Sequence, residues 1–335
     1  MKIIYFQAES WEEKYVSDKL PNLAIKFLPN RLEDYPDLTD SEAEAISVFV
    51  NTKIGQVEME RFPNLKFIAT RSTGFDHIDL AEATKRGIKV SNVPSYGENT
   101  VAEQAFALLL CLSRKIYESY KQIEQGGKFS PAGLKGFDLK GKTIGIVGLG
   151  RIGIHTARIA HGFEMNILAY DKFPNDQAIK DYGVKYVELD ELLANSDIIS
   201  LHAPYLPATH HLINLDNIGK VKKGAYLINT ARGGLVDTSA LIRGLQDGNL
   251  AGAGLDVLEE ENFLIDELSL LNSPHPSEES LKTILENHYL IDHPQVIITP
   301  HNAFNTQEAI ERIVNTTVEN IKGFESKVLI NTVVV

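Results

Sequence analysis

The chain has 335 residues, 43% of them hydrophobic and 23% charged, with a formal net charge of −12. At ~150 residues per domain this length predicts two domains, and the composition is that of an ordinary globular chain with ample core. The acidic balance argues against nucleic acid and membranes as partners, so an anionic substrate would need a local positive group inside a cleft.

The one cysteine, Cys111, excludes an internal disulfide. It sits in an apolar helical pattern that predicts core packing rather than a reactive thiol. The first residues are too short and uncharged a run for a secretory signal and read as a strand. No apolar run approaches the ~20 residues needed to cross a bilayer, so a soluble, cytoplasmic protein is expected.

Residues 1–98 alternate short apolar strands (3–6, 24–28, 46–50, 67–70, 88–91) with amphipathic helices (11–20, 54–61, 79–85). Such alternation predicts a parallel α/β sheet. The fourth strand runs into Arg71-Ser72-Thr73-Gly74-Phe75-Asp76, a polar turn. Ligands of open α/β sheets sit beyond strand carboxyl ends, so Ser72, Thr73 and Gly74 are candidates for donating amides to a small anion; a plain turn is the equal alternative. From Thr100 to about Ile123 the spacing predicts one unusually long helix with more than one apolar face, suited to a subunit contact.

An apolar strand over 143–147 then breaks at Gly148-x-Gly150-x-x-Gly153, a helical pattern follows, and a second strand over 166–170 ends on Asp171, 18 residues beyond Gly153. Strand, glycine turn, helix, strand and acid are the order of a dinucleotide site. Gly148 permits the turn, Gly150 lets backbone approach a pyrophosphate, Gly153 lets helix and strand pack, and the helix start holds the phosphates. Asp171 would accept hydrogen bonds from both ribose hydroxyls and repel a 2′-phosphate, which favours NAD over NADP; Lys172 beside it weakens that preference.

Alternation resumes at 185–188, 190–195, 198–202, 215–221, 225–229, 238–247 and 252–255, enough for a doubly wound sheet of about six strands. A mixed insertion over 259–295 separates these from a last strand at 296–301 and a helix over 306–326. Three late strand ends carry titratable or charged groups: Arg232, Asp256 with Glu261 close behind, and His301. An Arg fork matches a carboxylate bidentately and polarises its neighbouring carbonyl. A His passes a hydroxyl proton near neutral pH, and an adjacent carboxylate favours its protonated form. Beside a nucleotide site, these groups describe hydride transfer to a 2-oxo acid.

Residues 71–79, Asn92 through Tyr96 to Glu103, 148–153, 200–204, 228–234, 254–257 and 299–304 together resemble the D-isomer-specific 2-hydroxyacid dehydrogenase family, over essentially the whole chain. The resemblance implies two doubly wound domains. One is a flavodoxin-like substrate-binding domain of residues 1–99 and 302–335; the other is a Rossmann NAD-binding domain of residues 100–301. It implies that Arg232 grips the substrate carboxylate and that Glu261 pairs with His301, the general acid/base. Cofactor contacts are implied at Thr100, Gly148, Gly150, Arg151, Ile152, Gly153, Asp171, His202, Pro204, Thr209, Thr230, Ala231 and, near the nicotinamide, Asp256. Thr73 and Gly74 match the carboxylate-binding loop, and Tyr96, Phe304 and, loosely aligned, Phe49 match substrate-side aromatics. The long 261–301 segment and Phe304 resemble the D-lactate dehydrogenase branch. The implied reaction is pyruvate reduction to D-lactate by a homodimer joined through the NAD domain, with no metal. Hydroxypyruvate, glyoxylate or phosphite are the alternatives in the same site. A nucleotide-sensing corepressor of the same fold is the alternative of another class.

Overall fold

The computed structural model describes residues 1–261 and 278–333. In chain order the elements are β1 (Lys2–Phe6), α1 (Ser10–Lys19), β2 (Ala24–Leu28), β3 (Ala43–Val48), α2 (Gln56–Glu60), β4 (Phe67–Thr70), α3 (Leu80–Lys85), β5 (Lys89–Ser91), α4 (Glu98–Arg114) and α5 (Ile116–Glu124). They continue with β6 (Thr143–Val147), α6 (Arg151–Gly162), β7 (Asn166–Tyr170), α7 (Asp176–Tyr182), β8 (Lys185–Tyr186), α8 (Leu189–Asn195), β9 (Ile198–Leu201), β10 (Ala225–Asn229), α9 (Thr238–Gln246), β11 (Leu250–Leu255), α10 (Glu278–Asp292), β12 (Val296–Ile298) and α11 (Gln307–Glu325).

The chain forms two compact units, one of Met1–Tyr96 with Asn305–Val335, the other of Gly97–Phe304. In the first, five parallel strands run in the order β2-β1-β3-β4-β5, the flavodoxin-like winding. Ile4, Ile46, Ile68 and Val90 lie opposite one another across four strands, all buried on one face. Parallel strands are covered on both faces, which is why these segments read as nearly unbroken apolar runs. Cutting one of those isoleucines to alanine costs about 2–5 kcal/mol. On the other face, Tyr5 and Phe67 pack with Val314, Val318 and Ile321 of α11, so the last helix returns to the first unit.

The second unit holds seven parallel strands in the order β12-β11-β10-β9-β6-β7-β8. This is the dinucleotide-binding winding with one strand added outside β11, so the expected six become seven. The order reverses between β6 and β9, and ligands of such sheets bind at that switch point, at the strand carboxyl ends.

The boundaries differ from those expected. Gly97, Glu98 and Asn99 belong to the second unit because α4 starts at Glu98. Asn302 and Ala303 belong there because their amides donate to Asp256 after β11, at 2.9 and 2.8 Å. The predicted long helix is also two. Lys115 takes a left-handed conformation (φ 52°), its N–H closes on the Cys111 and Leu112 carbonyls, and α5 starts at Ile116. No glycine marks that break, so the periodic pattern runs through it. Helix α4 is largely buried, Cys111 is half-buried, and α5 has no buried residue. Helix α7 was not expected, and the predicted element at 215–221 is only a turn of 3₁₀ helix, Ile218–Lys220. The insertion expected at 259–295 is helical from Glu278, and residues 262–277 lie outside the described residues. Among the described residues no helix is long and apolar enough to cross a membrane.

Candidate active site

At the switch point β6 ends in a turn whose shape requires missing side chains. Gly148 has φ +91°, and a Cβ there would meet Ala203 N at 2.6 Å. A Cβ on Gly153 would meet the Gly148 carbonyl oxygen at 2.2 Å. Around a Gly150 Cβ nothing lies within 4 Å, so the backbone there faces open space. Gly150 caps the 12-residue α6, and Arg151 and Ile152 follow in its first turn. Asp171, just past β7, accepts from Leu149 N at 2.7 Å and Phe173 N at 2.8 Å. Two backbone donors hold the carboxylate against the turn and leave further lone pairs for a sugar's hydroxyls.

Three neighbouring strands, β10, β11 and β12, end in register at Asn229, Leu255 and Ile298. Arg232, Asp256 and His301 follow these ends. Asn229 sets the first turn: its Oδ1 accepts from Ala231 N at 3.0 Å, and its Nδ2 donates to Arg232 O at 2.9 Å. Arg232 Nη1 donates to Ala231 O at 2.8 Å. His301 is left-handed at φ 50°. Its backbone N–H donates to Asp256 O at 2.8 Å, and its Nδ1 lies 2.6 Å from Glu261 Oε1. Glu261 Oε2 accepts from Leu258 N at 3.1 Å. One imidazole nitrogen is thus held by a carboxylate that is itself held by backbone, an acid/base arrangement with an orienting partner.

Asp256 lies just past the end of β11. Its side chain, 1% exposed, accepts from the Thr299 hydroxyl and from Asn302 N and Ala303 N. Burial pushes its carboxyl up from the ordinary carboxylate range, and these donors with nearby His301 pull it back. The carboxylate fixes the turn that carries His301. His202, just past β9, is also held within the fold. Its Nε2 lies 3.0 Å from Thr156 Oγ1 and 2.9 Å from Ser200 Oγ, and its Nδ1 is buried with no partner among the described residues. Burial lowers its pKa to about 4, so the ring is neutral.

The family whose description reads D-isomer specific 2-hydroxyacid dehydrogenase, NAD binding domain, matches residues 106–303. 2-hydroxyacid dehydrogenase A of Aspergillus oryzae is 38% identical, over 98% of this chain and 93% of its own length. The chain belongs to the D-isomer specific 2-hydroxyacid dehydrogenases. A glyoxylate reductase of Thermofilum pendens is 40% identical over 90% of this chain and 85% of its own. The D-lactate dehydrogenase of Aquifex aeolicus, solved with NAD and lactic acid, superposes with a TM-score of 0.85 at 37% identity, covering 97% of this chain and 96% of that one.

This dehydrogenase is therefore an NAD-dependent oxidoreductase acting on a CH–OH group, and its turn fits the cofactor: Gly150 leaves its backbone open, a helix starts there, and the Asp171 carboxylate is held beside the turn by backbone donors. The other predicted cofactor residues of this unit are spread along it. Thr100 is buried in the first turn of α4. Thr209 closes the turn from Pro204, donating to Pro204 O at 2.6 Å and accepting from Leu206 N at 2.8 Å. Thr230 is buried with its hydroxyl unpartnered among the described residues, and Ala231 follows it in the Asn229 turn.

The predicted substrate residues divide between the units: Phe49, Thr73, Gly74 and Tyr96 in the first, Phe304 in the second. In the first unit the 72–74 loop is held through its carbonyls and hydroxyls. Val93 N donates to Ser72 O at 3.0 Å and Asn92 Nδ2 to Thr73 O at 2.8 Å. Ser72 Oγ donates to Gly74 O at 2.6 Å and Thr73 Oγ1 to Val93 O at 2.8 Å. The Thr73 and Gly74 amides donate to nothing among the described residues. Asn229 and Thr299 are supports that were not expected: they lie within 228–234 and 299–304, but a supporting role is decided by contacts that spacing does not contain.

Proposed function

We propose that this enzyme reduces pyruvate to D-lactate, with Arg232 binding the carboxylate and His301, paired with Glu261, acting as general acid/base. The observation that carries this is the 2.6 Å contact of His301 Nδ1 with Glu261 Oε1, on the strand-end edge that also bears Arg232. Bound NADH supplies the hydride. Arg232 presents its fork to the carboxylate and draws electron density from the adjacent carbonyl carbon. His301, protonated, donates from Nε2 to the carbonyl oxygen as it becomes a hydroxyl, while Glu261 holds Nδ1–H and stabilises the imidazolium. In lactate oxidation His301 takes the proton back. In this reading Thr73, Gly74, Tyr96 and Phe49 of the first unit and Phe304 of the second are the substrate residues, and the Thr73 and Gly74 amides, which donate to nothing among the described residues, are available to an anion.

Full-length likeness to a D-lactate dehydrogenase supports pyruvate, and 40% identity to a glyoxylate reductase supports glyoxylate or hydroxypyruvate as the second reading. The test is a set of specificity constants for pyruvate, hydroxypyruvate, glyoxylate, oxaloacetate and phenylpyruvate with NADH. Pyruvate is expected to lead; glyoxylate in first place moves the assignment to the second reading. Glu261→Gln removes the carboxylate that orients His301 Nδ1, so kcat for pyruvate falls while NADH affinity stays near wild type. An unchanged kcat takes Glu261 out of the mechanism.

A second copy of the chain covers the exposed α5 row of Ile116, Tyr117, Tyr120 and Ile123 in this proposal, making a dimer through this unit that sedimentation would detect. One cysteine and the acidic charge support a cytoplasmic site.

A further inference from the structure

Two residues before Glu261, a second His–carboxylate pair joins the same segment to the rest of the unit. His211 Nε2 lies 2.5 Å from Glu259 Oε1. Glu259 Oε2 accepts from the Thr238 hydroxyl at 2.9 Å and from Thr238 N at 3.3 Å, and Glu259 O accepts from Asn287 Nδ2 at 2.7 Å. Glu259 is therefore pinned from three directions, by the loop after β9, the start of α9 and α10. Between the two acids, Glu260 is left-handed at φ 54°. A non-glycine residue persists there only where its surroundings over-determine it.

His211 reaches the Arg232 turn as well. Its own backbone is left-handed at φ 49°, and its N–H donates to Gly234 O at 2.8 Å. The same turn touches the acidic segment directly, since a Cβ on Gly233 would come within 2.1 Å of Leu258 C and O. His211 thus holds the Arg232 turn by its backbone and the Glu261 segment by its ring.

We infer that His211 and Glu259 are positioning residues for the reaction: together they fix the turn bearing the carboxylate clamp against the segment that presents Glu261 to His301. This rests on the roles proposed above for Arg232, Glu261 and His301. A side chain outside the chemistry exerts large leverage on rate, because a shift of about 1 Å in a reacting group lowers turnover about 100-fold. The titratable groups around the pair are His210, whose ring stacks on His211 at 3.8 Å, Tyr205, whose hydroxyl lies 3.0 Å from His210 Nδ1, and Glu261 itself. None of them replaces the bond from His211 to Glu259.

The test compares the wild-type enzyme with Glu261→Gln, Glu259→Ala, Glu259→Gln and His211→Asn. Measured for each are kcat and KM for pyruvate, NADH affinity by fluorescence and cooperative melting. Glu261→Gln and Glu259→Ala are both expected to lower kcat, Glu259→Ala about 100-fold, with KM for pyruvate and NADH affinity near wild type. Glu259→Gln, which keeps an acceptor for Thr238, is expected to recover most of the rate. A kcat lowered in Glu261→Gln but unchanged in Glu259→Ala overturns the inference alone. A kcat unchanged in both overturns the proposed roles and the inference with them. If Glu259→Ala does not melt cooperatively, His211→Asn decides in its place: the same fall in kcat supports the inference and an unchanged kcat overturns it.

Discussion

At the β6 end of the seven-stranded sheet, geometry is set by atoms that are missing: Gly148 and Gly153 leave room that a methyl group would fill at 2.6 and 2.2 Å from backbone. At the β10–β12 end it is set by polar side chains that are present: Asn229 in the Arg232 turn, Asp256 under the His301 turn, Glu261 on His301 itself. Both ends belong to one sheet and one set of strand termini. A phosphate is bound by backbone, which any sequence supplies once side chains are out of the way. A carboxylate and a proton need particular groups at particular places, and each such group needs its own support.

Substitutions can break the two ends separately. The largest effect is expected from Arg232→Ala: loss of a charged, bidentate partner costs roughly 2–5 kcal/mol, or about 30- to 5,000-fold in kcat/KM for pyruvate. NADH affinity should stay near wild type, and a parallel loss would mean that Arg232 serves the nucleotide end instead. Next is the joint between the ends, His202, whose pKa of about 4 lies below the ordinary 6.5. The unfolded chain takes up a proton below pH 6.5 that the folded chain refuses, so stability falls as pH drops, by about 3 kcal/mol at pH 4. Urea unfolding at pH 7 and pH 5 should show a steeper loss for wild type than for His202→Gln; equal losses would mean the ring is charged in the fold. Smallest is Gly148→Ala, which strains a left-handed position by about 1–3 kcal/mol and should appear first in NADH affinity. A fall in kcat with NADH affinity intact would erase the distinction between the two ends.

Much of this was legible in the linear chain. Parallel strands buried on both faces show as short apolar runs, and most strand bounds were read to within a residue or two. The glycine turn was legible because its requirement is local: spacing, a following helix and an acid at the end of the next strand. Helix α7 was also written locally, with Asn175 accepting from Gln177 and Ala178 at its start and Gly183 at φ 68° at its end, yet its few apolar residues hid it. The Lys115 break went unread for the opposite reason, since apolar spacing continued while the backbone changed hand.

The candidate catalytic groups could be named from their place after strands and the Glu261–His301 pair from the family resemblance, but not the other contacts that hold them. That Asp256 follows a strand end could be read; that its carboxylate takes the amides of residues 46 and 47 positions further along the chain could not. Glu259 and His211 meet across 48 positions, and no periodicity carries that.

By itself, then, the sequence determined two wound sheets, the dinucleotide turn and the identity of the candidate reacting groups, because periodicity, glycine spacing and residue chemistry are properties of the chain. Only the tertiary structure decided that Glu259 meets His211, which acid supports a turn and where one unit yields to the other. Those outcomes depend on hydrogen bonds between segments far apart in the chain, and they form only once the strands have been brought side by side.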